Sequence, residues 1–260
     1  MVARGSQTPR KILITGAAGL LGTVLMGGLD GRYRVAGVDR ALRRPPNVRR
    51  RNLARSRSLA AIFEGADAVV DLAGLADDKA AWRDVWKNNL AASMNSLEAA
   101  RRAGVHRYVF ASSNHVTGMY EREPPYSAIV AGDYAGLDLG SIPLISERTP
   151  LRPDGAYALG KVLGEAAARW YADEFGLSAI CLRIGTVNEA NRPLKPRDFA
   201  TLLTHADLLR LAECALEARA DLDFRVYYGV SRNKWRFWEI EDAADEIGYH
   251  PQDDAERFRV

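Results

Sequence analysis

Tyr157 and Lys161 are separated by three residues in the run Tyr-Ala-Leu-Gly-Lys. On a helix that spacing puts both side chains on one face. A phenol ordinarily titrates near ~10 and is a weak base at neutrality. A cation beside it favours the phenolate. A tyrosine held in this way can take the proton of an alcohol as hydride leaves the carbon. The pair alone is common by chance, and a packed surface helix would also contain it. Ser113 strengthens it. It lies in Ala111-Ser-Ser-Asn-His115, just past a run that reads as a strand. There its hydroxyl can orient the substrate oxygen toward Tyr157. Ser112 is the alternative for that task, and a turn-capping serine is the plainer explanation.

A second constellation lies near the start of the chain. Gly16-Ala-Ala-Gly19-Leu-Leu-Gly22 follows a β-rich run and opens a helix. Gly16 permits a tight turn, Gly19 lets backbone approach a pyrophosphate, and Gly22 lets helix and strand pack closely. The helix N-terminus supplies unpaired N–H groups and partial positive charge. The next strand ends at Asp39, whose carboxylate can accept both ribose hydroxyl hydrogens and would repel a 2′-phosphate. NAD is therefore expected ahead of NADP. Arg40, Arg43 and Arg44 follow closely, which leaves room for some use of NADP.

These groups need a scaffold that brings strand ends together, and the hydrophobic pattern supplies one. Strands are expected at 11–15, 33–38, 48–53, 68–73, 107–111 and 178–184. Helices are expected at 19–29, 59–64, 81–103 and within 153–175. Strands alternating with helices give an α/β chain with a Rossmann-type doubly wound parallel sheet. Ligands of such sheets sit beyond the carboxyl ends of the strands, which is where Ser113 falls. The dinucleotide-binding domain is expected to span 10–185, after a flexible tail at 1–9. A long insertion at 119–152 breaks the rhythm, as functional lids and binding loops do. Residues 186–260, with a helix near 205–218, a strand near 224–228 and a helix near 238–247, are expected to form a small C-terminal substrate lobe. Trp235-Arg-Phe-Trp238 reads as packing within it.

Composition narrows the field. The 36 basic residues nearly balance 33 acidic ones, for a net charge of +3, so no nucleic-acid partner is expected. The densest basic stretch, from Arg40 to Arg57, reads as a solvated face. No run reaches the ~18 apolar residues of a membrane span, and the polar first nine residues are not a signal peptide. Cys181 and Cys214 sit in apolar patterns, which suits a reducing cytoplasm. With four histidines and no ligand-spaced pair, no metal is expected.

Taken as a set, these residues resemble the extended short-chain dehydrogenase/reductase family, in its epimerase/dehydratase-like branch. The matching pieces are the glycine turn, Asp39, Asp71-Leu-Ala-Gly74, Asn89 ahead of Leu97-Glu-Ala-Ala100, Ser113, and Tyr157 with Lys161. A narrower likeness lies in Ser112-Ser-Asn-His115, Arg152-Pro-Asp154, Arg183-Ile-Gly185, Tyr228-Gly-Val-Ser231 and Gly248-Tyr-His-Pro-Gln-Asp-Asp254. These resemble uronate dehydrogenases and the related NAD-dependent glucose-6-phosphate dehydrogenases of haloarchaea. Both oxidise C1 of a cyclic sugar to a lactone. The resemblance implies that NAD is held by Gly16, Gly19, Leu20, Leu21, Gly22, Asp39, Asn52, Leu53, Leu72, Ala73, Gly74, Asn89, Tyr157, Lys161 and Ile184. It implies that Ser113, Tyr157 and Lys161 are catalytic, and that Ser113, Asn114, His115 and Tyr157 hold the sugar. Arg197 would grip a uronate carboxylate, for which its planar fork is suited.

The chain departs from the pattern in places. Asp71 stands where the family commonly has histidine, and Asn52 where aspartate commonly meets adenine. The insertion is closer in length to the sugar-phosphate relatives. Arg192 and Lys195, near Arg197, could meet a phosphate instead of a carboxylate. The expected activity is therefore NAD-dependent oxidation of a uronate at C1. The alternatives are a sugar-phosphate dehydrogenase, a nucleotide-sugar epimerase or dehydratase, and a non-enzymatic NAD-binding regulator. The helices at 81–103 and 155–175 are candidates for an interface in a homo-oligomer.

Overall fold

The computed structural model describes residues 11–55 and 59–259. The tail expected at 1–9 and Arg57 of the basic stretch lie outside them. Seven strands form one sheet in the order β3-β2-β1-β4-β5-β6-β7, every neighbouring pair parallel. β1 (Lys11–Thr15) leads through α1 (Leu20–Leu29) to β2 (Arg34–Asp39) and the short β3 (Val48–Arg50). α2 (Ala60–Phe63) precedes β4 (Ala68–Asp71). The central strands are buried almost throughout because helices cover both faces of such a sheet.

One face packs α1 residues Leu25, Met26 and Leu29 with Ile12, Ile14 and Val70 of the sheet. The other packs Leu13, Val69, Tyr108 and Phe110 against the helices beneath. The helix expected at 81–103 is broken into α3 (Trp82–Val85), a π-helical turn (Trp86–Leu90) and α4 (Ala91–Arg102). Such turns are rare and cluster at functional sites; this one carries Asn89.

β5 (Arg107–Ser113) runs two residues further than expected, so Ser112 and Ser113 are its last residues. A 3-10 helical stretch (Asn114–Arg122) and α5 (Tyr126–Ala131) follow inside the insertion. α6 (Ala156–Phe175) then crosses to β6 (Ser178–Ile184).

After β6 come α7 (Asp198–Thr201), α8 (His205–Glu217), β7 (Phe224–Gly229) and α9 (Glu241–Ile247). The helix and strand expected in the C-terminal lobe join the sheet layers. α8 places Leu208, Leu211 and Leu216 in the cluster built on α1, and β7 extends the ladder beside β6. A parallel β6–α8–β7 crossover requires this placement.

The insertion does not stand off as a bare loop. Tyr126, Ile129 and Ile145 pack with Trp235, Phe237 and Trp238 in a third cluster. Ile145 N–H donates to Phe237 O at 2.8 Å, and Glu239 N–H donates to Ile145 O at 3.0 Å. Among the described residues, no helix is long and apolar enough to cross a membrane.

Candidate active site

At the end of β1 the chain turns on Gly16, whose φ of +64° suits glycine. A Cβ there would lie 2.7 Å from the Leu72 carbonyl oxygen, and one on Gly22 would collide with the Gly16 carbonyl. α1 begins after Gly19 with no side chain capping it. Its first N–H groups are thus left for an anion. Asp39 Oδ2 accepts from Ala18 N at 3.0 Å and Oδ1 accepts from Ala41 N at 2.8 Å. A carboxylate has about four acceptor sites, so ribose hydroxyls still find acceptors. These observations fit a dinucleotide.

Beneath the turn, Thr15 Oγ1 accepts from Leu72 N at 3.2 Å and Ala73 N at 3.1 Å, and donates to Asp71. Tyr108 donates to the other Asp71 oxygen at 2.7 Å. Burial pushes the Asp71 carboxyl up, against the pull of these two hydroxyls. Asp71 is therefore a buried brace between β1, β4 and β5.

Asn52, Leu53 and Ala73 line a smaller cavity with Gly16, Asp39 and Gly74. Asn89 lies on neither cavity wall. Its side-chain amide holds Leu75 by both backbone groups, at 2.8 and 3.0 Å, and stands against Gly74. It shapes the strand end from behind.

The main cleft runs from the glycine turn to the ends of β5 and β6. Along it lie Gly16, Gly19, Leu20, Leu21, Gly22, Asp39, Leu72 and Gly74, then Ser113, Asn114, His115, Tyr157, Lys161 and Ile184. Its volume is about 660 Å³. That lies within the ~300–1,000 Å³ of small-molecule and cofactor sites.

At the far end, Ser113 Oγ accepts from His115 N at 3.3 Å. Lys161 Nζ donates to Ala111 O at 2.6 Å and lies 5.6 Å from the Tyr157 ring centre. The His115 ring meets Tyr157 edge-on, with centres 6.2 Å apart. His115 Nδ1 is 2.6 Å from Asp154 Oδ2. Asn114 is buried, and its Nδ2 has no hydrogen-bond partner among the described residues. An orphaned buried donor on a cleft wall suits a ligand oxygen.

Behind this end lies a buried network. Arg183 makes a bidentate pair with Glu165, at 3.0 and 2.9 Å, and reaches Tyr228 at 3.2 Å. Ser112 Oγ donates to Glu165 at 2.5 Å, and Tyr228 and Thr117 share a hydrogen at 2.9 Å. Burial works against the Arg183 charge, but the Glu165 carboxylate outweighs it and raises its pKa. Both serines border the cleft, but the Ser112 hydroxyl is committed to Glu165, which leaves that of Ser113 for a substrate. Burial also pushes the Cys181 thiol up, as befits a packing residue.

Arg197 is not on the cleft wall. Its Nε and Nη2 donate to the two carboxylate oxygens of Glu121, at 2.6 and 2.7 Å, and its Nη1 to Thr186 Oγ1 at 3.1 Å. Burial disfavours the Arg197 charge, yet the Glu121 hydrogen bonds and charge raise its pKa above the ordinary value. Arg192 and Lys195 lie outside the cleft as well. Among the described residues, the carboxylates close enough to share a cation are Glu147, Glu239 and Asp242, none of which lines the cleft.

Sequence reasoning named Asp154 only as part of a motif and gave Glu121 no role. An aspartate before a helical Tyr-x-x-x-Lys is a signal that could have been read. Glu121 lies in an aperiodic insertion and gave none.

Residues 12–247 match the model of the NAD dependent epimerase/dehydratase family. The uronate dehydrogenase of Pseudomonas syringae pv. tomato is 33% identical, covering 99% of this chain and 88% of the relative. An NAD-dependent glucose-6-phosphate dehydrogenase of Haloferax volcanii is 30% identical, covering 95% of each. A solved uronate dehydrogenase from Agrobacterium tumefaciens, a point mutant complexed with NAD, superposes with a TM-score of 0.78 at 30% identity. It covers 96% of this chain and 87% of that one.

Proposed function

Because the chain belongs to the NAD dependent epimerase/dehydratase family and is an NAD-dependent oxidoreductase, we propose that it oxidises the C1 hydroxyl of a cyclic sugar to a lactone. What carries this reading is the meeting of Ser113, Tyr157 and Lys161 in the same cleft as the glycine turn. NAD, which the glycine turn, the start of α1 and Asp39 would hold, would supply the hydride acceptor for C1. Ser113 orients the C1 oxygen. Tyr157 takes its proton, and Lys161, anchored on Ala111 O, keeps positive charge beside the phenol. Asn114 and His115 hold ring hydroxyls, with Asp154 fixing the His115 ring by its Nδ1. No protein group would be consumed: with the hydride acceptor in place, Tyr157 would receive only the hydroxyl proton.

The relatives' names put uronates first among substrates to try and glucose 6-phosphate second. The test is NADH formation from NAD with galacturonate, glucuronate, glucose 6-phosphate and the uncharged aldoses. At least one pyranose should support turnover. Replacing Tyr157 with Phe should lower kcat by at least ~10²-fold while NAD still binds in a fluorescence titration. Turnover that survives in Tyr157→Phe would remove the proposed proton acceptor. Silence across the panel would remove the sugar.

A further inference from the structure

The residue that a uronate carboxylate would need already holds a carboxylate. Glu121 occupies the Nε/Nη2 edge of Arg197 with both oxygens. That edge is the fork that reads a planar carboxylate bidentately. The remaining nitrogen, Nη1, points at Thr186 and Thr201, 3.1 and 3.5 Å away. Thr186 is a cleft-lining residue, so the ion pair stands directly behind the wall at the sugar end. The pair is largely removed from solvent, with the two side chains 16% and 13% exposed. Asp154 and Asp198 act electrostatically on the same guanidinium. One cation here thus faces more than one carboxylate.

We propose that Glu121 is a specificity-determining residue that takes the place of a substrate carboxylate, so that this chain selects sugars uncharged at the end remote from C1. The inference rests on the C1-oxidation reading above and narrows its substrate class. A uronate entering this site would find no open guanidinium edge and would bring a second negative charge toward Glu121. Like charges set close together in a partly dry site reject a ligand more effectively than a missing contact does. An uncharged hydroxymethyl group, or a pentose with no sixth carbon, meets no such penalty.

The test uses matched pairs that differ only at C6: galactose with galacturonate, and glucose with glucuronate, each with NAD and the full chain. In the wild type, kcat/KM for the uncharged member should exceed that for its acid by at least ~10-fold. Glu121→Gln keeps the shape and removes the charge. It should move that ratio toward the acid by a further ~10-fold or more, chiefly through KM for the uronate. If Glu121→Gln does not fold, the wild-type ratio still decides. A wild type that prefers the acid overturns this inference and leaves sugar oxidation standing. No turnover with any of these, nor with uncharged pentoses or glucose 6-phosphate, overturns the sugar reading and this inference with it, and turnover with glucose 6-phosphate alone overturns this inference only.

Discussion

The two ends of the cleft are built differently. The nucleotide end is made of backbone: a glycine at positive φ, a helix start with no side-chain cap, and the strand end at Asp39. Its one buried acid, Asp71, is tied to hydroxyls from two neighbouring strands. The sugar end is made of charged side chains drawn from segments far apart in sequence. Glu165 meets Arg183 across α6 and β6, Asp154 meets His115, and Glu121 meets Arg197. A backbone cradle reads a ligand common to many enzymes. A set of ion pairs can be exchanged one by one to suit a particular sugar.

That contrast can be broken first at Glu165. Glu165→Gln leaves the buried Arg183 charge uncompensated and should cost about 3–5 kcal/mol of stability, seen as a lower denaturant midpoint. Replacing both partners by methionine should recover most of it. A single variant that unfolds with the wild type would mean the sugar end does not depend on this pair.

The nucleotide end is probed by Gly22→Ala. Its Cβ collides with the Gly16 carbonyl, so the turn must shift, at about 1–3 kcal/mol. NAD affinity should fall, while the preference among sugars follows the wild type. A variant that keeps NAD affinity but changes the preferred sugar would erase the division between the two ends.

The smallest effect sets the scale and belongs to neither end. Hydrogen bonds from Arg101 and Arg102 hold the Glu98 carboxyl at about 2, below its usual 4.5. A depressed carboxyl contributes stability that is present above about 4.5 and lost as pH falls toward about 2. The group is partly exposed and screened, so the contribution is under about 1 kcal/mol. Glu98→Gln should flatten the stability profile in that acid window: it lacks this contribution, under about 1 kcal/mol, at neutral pH and converges with the wild type below about pH 2.

The same contrast explains what could be read in the sequence. The glycine turn and Asp39 are local patterns, each set by a turn or strand end, and their elements fall where the pattern put them. Strand ends were less legible. β5 carries Ser112 and Ser113 beyond the apolar run because α6 and β6 bury them, which a serine does not announce. The π-helical turn at Trp86–Leu90 shows no change in periodicity, and it sets Asn89 behind Gly74. Arg197 was legible as a chemical type and by likeness. Its partner was not, since nothing local ties Glu121 to a residue on the far side of two helices and a strand. Ion pairs between distant segments leave no period in a sequence.

One feature of the packing bears on how the molecule comes into being. α1, which opens the phosphate-binding turn, is covered by α8, and Leu209 fills the space beside Gly28. As the chain leaves the ribosome, the first strand–helix unit emerges early with its outer apolar face uncovered. It stays so until the residues of α8 have been made. Contacts between such distant segments slow folding and lengthen the exposure of sticky intermediates. The β1–α1 unit is thus sealed by a segment made long after it, and a chain stopped after β6 would hold most of the cleft with the apolar face of α1 uncovered.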